Sequence, residues 1–393
     1  MRAERVARAA FAVAVGLGVV SATADAQRTA SGLGRNGMTW EATSRIVGVT
    51  STATAAGGGD LRYFAAQPAN SGVVALIMDY GPDAAGVAQR FICSGTLLAD
   101  RVSILTAAHC VSSGFGTANP ISTTVFFPGS DPDAVVSAAD GSGSVAQRSV
   151  VRYAINPGYT GEVIDQNDIA VLRMGEPAPA SARSYGIFSG SSLTSTDFNV
   201  AGYGARSNAG GSVGANLGTG RLRQGDNRFD FRFGDSDFAG FWTDRDPAGE
   251  NFFGLAEISS SYISDFDNGL AAQDASCRIA NAIGPLCTSG DTKYNNRGRG
   301  ASEVSVAGGD SGGPQFVNGM IASFTSYGLS FGMNFGDIDV RLNSSFGEFN
   351  GFVPVYIHAG FIAANVVPEP ATFALMGAGL FALGVIARRR RVS

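Results

Sequence analysis

The sequence predicts an all-β protein, and the pattern of short apolar runs carries that reading. Gly72–Met78, Phe91–Leu98 and Val102–Thr106 are strand-like runs separated by Gly, Pro and Asp breaks. Val125–Phe127, Val150–Ile155 and Ile169–Leu172 continue the series. Phe229-Asp230-Phe231-Arg232-Phe233 alternates strictly, as a strand does, and Phe316–Ile321 reads as a hairpin closed by a tight Asn318-Gly319 turn. Leu97, Leu98, Ile104 and Leu105 are the expected filling of a barrel core.

With 393 residues the chain is long enough for a large core, yet only 16% of it is charged and the formal net charge is -5. That balance indicates no nucleic-acid partner and asks for nothing beyond ordinary solubility. Met1 to Ala26 combines Arg2, Arg5 and Arg8 with an apolar run and a small-residue ending, Ala24-Asp25-Ala26, which is the form of a secretory signal peptide. Export places Cys93, Cys110, Cys277 and Cys287 in an oxidising compartment, where three pairings are formally open. Neither pair has the CxxC spacing of a metal site. Residues 27–59, rich in Ser, Thr, Gly and Ala, read as a flexible leader.

The chemistry concentrates at Gly309-Asp310-Ser311-Gly312-Gly313-Pro314. Glycines on both sides allow a sharp turn that leaves the Ser311 hydroxyl uncovered, with the amides of Gly309 and Ser311 free to point at a carbonyl oxygen. A serine hydroxyl needs a base, and the chain has two histidines, His109 and His358. His109 stands in Thr106-Ala107-Ala108-His109-Cys110. These two stretches resemble the TAAHC and GDSGGP signatures of the trypsin/chymotrypsin family of serine endopeptidases, and the order His, Asp, Ser fits that family.

The resemblance implies two antiparallel β-barrels with the active site between them, and peptide-bond hydrolysis without a cofactor or metal. Its acidic triad member matches Asp168, in Asp168-Ile169-Ala170-Val171-Leu172; Asp165, three residues earlier, is the competing aspartate. It implies an oxyanion hole at Gly309 and Ser311, a disulfide between Cys93 and Cys110, and by remainder one between Cys277 and Cys287. Arg45-Ile46-Val47-Gly48 resembles the family's activation site, at which cleavage frees an N-terminus that pairs with the aspartate beside the nucleophile, here Asp310. Val200–Gly204 resembles the start of the second barrel, and Pro354-Val355-Tyr356 its closing strand. Ser326-Tyr327-Gly328 resembles the strand that pairs with an extended substrate peptide. His358 falls beyond these motifs and is expected to be a surface or cap residue.

In the family that the chain resembles, the residue six before the nucleophile lies at the floor of the primary specificity pocket; here it is Ser305, and the resemblance puts Val306, Gly308, Tyr327 and Gly328 around it. Without a fixed negative charge there, a basic side chain would be desolvated uncompensated, so an apolar residue is expected on the acyl side of the cleaved bond. Glu303 is the one nearby carboxylate able to restore a charge. The chain departs from the family in an insertion at about 205–286 and in lacking cysteines near Ala307 and Gly328. Within the insertion, Asp235, Asp237, Asp244, Asp246 and Glu250 lack an EF-hand pattern and read as a solvated acidic loop. Asp265-Phe266-Asp267-Asn268-Gly269 resembles a segment of exported bacterial trypsin-like proteins with a sorting tail.

Val367-Pro368-Glu369-Pro370, an apolar run from Ala371 to Ala387 and Arg388–Arg391 resemble the PEP-CTERM sorting signal of Gram-negative bacteria. The resemblance implies recognition by an exosortase-type enzyme after signal peptidase has acted. The apolar run is expected to form a hydrophobic helix that holds the chain in the membrane before sorting, with the arginines on the cytoplasmic side. The expected division is therefore 1–26 signal peptide, 27–59 leader, 60–365 protease domain and 366–393 sorting segment.

Overall fold

A computed structural model of the chain describes residues 29–34, 38–43, 46–131, 133–289 and 293–366. The expected signal peptide, Arg45 and the expected C-terminal helix lie outside the described residues. No described helix is long and apolar enough to cross a membrane.

In the stretch read as a flexible leader, β1 (Thr29–Leu33) and β2 (Thr39–Thr43) form an antiparallel hairpin. They are ordered because β2 has further partners, pairing with Gly328, Leu329 and Ser330 of a later strand and burying Trp40. The short strand β3 (Val47–Gly48) follows. Then come β4 (Val73–Pro82), β5 (Ala88–Leu97), β6 (Ser103–Thr106) and β7 (Ser122–Phe126), a ribbon of β8 (Val136–Ser137) and β9 (Ser142–Gly143), and β10 (Gln147–Ile155) and β11 (Ala170–Met174). Six of these close into a barrel in the order β10-β11-β6-β5-β4-β7. Val73 to Met78 are buried without alternation, because the core they join also takes in Ala201, Phe316, Ile321, Phe324 and Val353 of the second sheet. The barrel is thus packed inside and, along this strand, outside as well, which explains the continuous apolar run.

The second half contains β12 (Thr196–Gly202), β13 (Arg223–Phe229), β14 (Phe231–Arg232), β15 (Tyr262–Asp265), β16 (Val304–Ser305), β17 (Pro314–Val317), β18 (Met320–Ser330) and β19 (Phe349–Pro354). Its main sheet runs β13-β12-β17-β18-β19-β15-β14 and curls into a half-barrel. The two outer strands are halves of the alternating run seen in the sequence, broken at Asp230. The ends of the sheet therefore meet through the covalent chain, with the Asp230 amide on the Ile263 carbonyl at 2.9 Å. The Asn318-Gly319 turn joins β17 to β18 with both residues at positive φ, as a tight hairpin requires. The expected closing strand stops at Pro354; Val355–His358 is a 3-10 turn leading into the helix α2 (Ala359–Asn365).

The insertion supplies its own aromatic core. Phe231, Phe233, Phe238, Trp242 and Phe252 are all buried, and Trp40 of the leader and Tyr327 of β18 belong to the same cluster. The helix α1 (Ala275–Ile283) is capped by Asp274, whose carboxylate accepts the Cys277 amide at 3.0 Å. Asp235 and Asp237 both pair with Lys293, at 2.9 and 2.8 Å.

The disulfides are Cys93–Cys110 and Cys277–Cys287. The first joins β5 to the turn after β6. Reducing it should destabilise the first barrel by about 2–5 kcal/mol. Urea unfolding of the Cys93→Ala/Cys110→Ala chain beside the unsubstituted one checks this, and coincident curves would refute it.

Candidate functional site

His109 sits on a single 3-10 turn, Ala108–Cys110, immediately after β6 and beside the disulfide. Asp168 lies just before β11 and is 1% exposed. It grips His109 twice: Oδ1 accepts the His109 amide at 2.8 Å, and Oδ2 lies 2.7 Å from Nδ1. The Ser326 hydroxyl donates to the same Oδ2 at 2.5 Å, so β18 of the second half completes the carboxylate's bonding. A carboxylate on Nδ1 fixes the tautomer that leaves Nε2 without a proton.

The neighbouring aspartate has a different task. Asp165 accepts the Thr160 amide and hydroxyl and the Asn167 amide, each at 2.8 Å, and holds the loop shut; burial pushes its carboxyl up to about 6. His358, expected at the surface, is buried against this loop. Its Nε2 donates to the Gln166 carbonyl at 2.7 Å and its Nδ1 takes the Asn156 amide at 3.1 Å, an arrangement that requires the neutral ring. Burial accordingly lowers its pKa. No motif in the sequence marks this role, since the partners stand 192 and 202 residues away.

Ser311 is set against the first barrel by its backbone. The Ser94 amide donates to the Ser311 carbonyl at 2.8 Å, and the Ser94 hydroxyl to the Gly309 carbonyl at 2.8 Å. Gly312, at φ 78°, lies so close to β6 that a Cβ there would meet Thr106 Oγ1 at 2.0 Å. Neighbouring amides are spent, Asp310 on Ala307, Gly312 on Thr325 and Gly313 on Asp310. Those of Gly309 and Ser311 have no acceptor among the described residues.

Asp310 is the fixed point of this loop. It is fully buried, and its carboxylate accepts the amides of Gly204 at 2.7 Å, Ala307 at 2.8 Å and Ile46. Burial pushes it up to about 7. The Ile46 contact joins the residue after the expected cleavage site to the residue before Ser311.

Residues 73–227 match the family model described as Trypsin, and residues 366–391 match the PEP-CTERM protein-sorting motif. The chain carries a trypsin-family domain. The match takes in His109 and Asp168 and ends at β13, before the Ser311 loop. Among curated proteins none matches the chain. The sorting motif marks the protein for export and sorting to the cell envelope.

In this trypsin-type domain the residues expected around the specificity pocket are deeply set. Ser305 is 1% exposed and its hydroxyl donates to Asn350 Oδ1 at 2.7 Å. Glu303 does not swing toward it. Its carboxylate is held by the amides of Asp267, at 2.7 Å, and Arg299. The Tyr327 ring lies over Gly351, where any Cβ would meet it at 2.1 Å, and its hydroxyl pairs with Ser261 at 2.7 Å. Gly328 stands at the edge of β18 that β2 covers.

Gly204 tests the Asp310 bond network directly, because a Cβ at this position would lie 2.2 Å from the Asp310 carboxylate. Gly204→Ala should cost roughly 1–3 kcal/mol, as forced overpacking does. Chemical denaturation measures the loss, and an unchanged midpoint would contradict the packing described.

Proposed function

We propose that the chain is an exported serine endopeptidase that cleaves polypeptides through an acyl-enzyme on Ser311. The observation that carries this reading is the pair of hydrogen bonds from His109 to Asp168, with a third donated to the same carboxylate by Ser326 from the other half of the molecule. Ser311 Oγ attacks the scissile carbonyl carbon as His109 Nε2 takes its proton. Asp168 stabilises the imidazolium that forms, and the Gly309 and Ser311 amides receive the oxyanion. His109 then protonates the leaving amine, and water, activated by the same imidazole, releases the acyl group. A substrate strand pairs along Ser326, Tyr327 and Gly328. Ser305, its hydroxyl committed to Asn350, offers no charge to a basic side chain, which favours an apolar residue on the acyl side.

The leader bears on activation. β2 pairs with Gly328, Leu329 and Ser330, so it occupies the edge that the substrate needs, and only Ser44 and Arg45 lie between its end and Ile46. Cleavage after Arg45 releases the leader from its covalent hold and turns the Ile46 amide into an ammonium beside Asp310. Signal peptidase acts before this step, and an exosortase-type enzyme of a Gram-negative envelope acts on the C-terminal motif.

A fluorophosphonate should label the chain that begins at Ile46 and leave Ser311→Ala untouched. His109→Ala and Asp168→Asn should each lower peptide turnover by roughly 10⁴-fold, without adding in combination. Absence of labelling with the fold intact would instead identify an inactive binding module.

The Asp310 carboxyl gives the pH dependence. In the uncleaved chain its folded pKa of about 7 lies above its unfolded value, so its ionisation is disfavoured by folding and stability falls as pH rises from about 4 to about 7. An Ile46 ammonium removes that loss. In a Ser311→Ala background, the stability of the cleaved chain over the uncleaved one should therefore grow across this window, and thermal unfolding at pH 4.5 and 7 measures it. A gap independent of pH would refute the ion pair.

A further inference from the structure

Size selection at the primary pocket falls to a residue that no motif marks. Taking Ser305 as the floor, the pocket lies between residues 305–308 on one side and the β18 backbone at Ser326–Gly328 on the other. Asn350 stands in β19 directly opposite Gly328 in the ladder, and so belongs to the second side. Paired residues share a face of the sheet, and Gly328 carries no side chain to fill it. The Asn350 side chain accordingly reaches across to the first side, where Oδ1 accepts the Ser305 hydroxyl at 2.7 Å and the Val306 amide at 2.9 Å. The Val306 amide can only donate, which fixes the two ends of the carboxamide. Nδ2 donates to Ser264 of β15, at 3.3 Å to Oγ and 3.4 Å to the carbonyl.

The carboxamide thus bridges the two sides at the base of the pocket, and Asn350 is as closed to solvent as Ser305. Moving it aside is unfavourable. It would leave the buried Val306 amide without an acceptor and the Ser305 hydroxyl with only the Val306 carbonyl, at 3.2 Å. The surrounding wall is fixed as well. Ala307 packs with Phe266 and Phe346, and the Ser344 hydroxyl, from the loop after β18, donates to the Val306 carbonyl at 2.8 Å. A wall held by packing on one face and by hydrogen bonds on the other has little freedom to widen around a larger side chain.

We infer that Asn350 is a specificity-determining residue and that it limits the side chain on the acyl side of the cleaved bond to the size of alanine or serine. This rests on the reading of Ser311 as the nucleophile, and it narrows the substrates from polypeptides cut after apolar residues to polypeptides cut after small ones. A methyl or hydroxymethyl group stops short of the carboxamide. Leucine, methionine or phenylalanine would have to displace it and strand its donors. Lysine or arginine would in addition bury a charge that nothing pairs with. Asn350 stands 45 residues beyond Ser305, outside every motif in the sequence, so only the folded chain shows the two in contact.

Aminoalkyl phosphonate diphenyl esters that differ only in the side chain beside phosphorus test this on the chain that begins at Ile46, because each labels Ser311 by the same chemistry. The alanine analogue should label roughly 10–200-fold faster than the leucine and phenylalanine analogues, the discrimination that pocket size supplies. Asn350→Gly should speed the leucine and phenylalanine analogues relative to alanine and so shrink or reverse that ratio. A purely structural role for Asn350 would slow all the analogues alike and leave the ratio standing, which overturns the inference. Should Asn350→Gly fail to fold, Asn350→Ala is read in the same way, and if neither folds the ratio in the unsubstituted chain decides. Faster labelling of that chain by the leucine, phenylalanine or a lysine analogue overturns the size limit while leaving Ser311 as nucleophile. No label from any analogue or from a fluorophosphonate, in folded protein, removes the Ser311 reading and this inference with it.

Discussion

The buried carboxylate of Asp310 is the constraint on which the candidate site depends. Alone it would be costly to bury, and it is tolerated because amides from three separate parts of the chain converge on it: Ile46 after β2, Gly204 after β12 and Ala307 before the Ser311 loop. Each of these contacts dictates sequence nearby. Gly204 must lack a side chain, and the loop turns through glycines to bring Asp310 inward, with Ser311 itself only 2% exposed and not uncovered as its glycine setting suggests. The shape of the Ser311 loop is thus set by where Asp310 is buried.

A second buried carboxylate, Asp168, joins the two halves of the molecule. It binds His109 in the first barrel and receives Ser326 from the second sheet, so the histidine is oriented only when both halves are packed. His358 supports the same loop from the C-terminal turn.

Much of this was legible in the sequence because it is local. The six strands of the first barrel follow the apolar runs, the Asn318-Gly319 hairpin follows its turn chemistry, and the disulfides form between the cysteines as the family resemblance paired them. What escaped was carried by distant partners. The leader reads as irregular because its hairpin gains order from Gly328 to Ser330, nearly 290 residues on. The alternation at Phe229–Phe233 gives no sign that Asp230 will leave the ladder to bond Ser276, and the acidic residues at 235 and 237 drew notice while the buried set at 230, 265, 267 and 303 did not. Burial, not spacing, distinguishes the two sets.

The central claim is that Ser311, His109 and Asp168 form one acyl-transfer unit, and burst kinetics address it most directly. On mixing the Ile46-initiated chain with an activated ester, the account predicts release of about one equivalent of leaving group per chain before the slow turnover phase, with the acyl group recovered by mass spectrometry on the peptide that holds Ser311. A linear release without a burst and without an adduct on Ser311, in correctly folded protein, would contradict it.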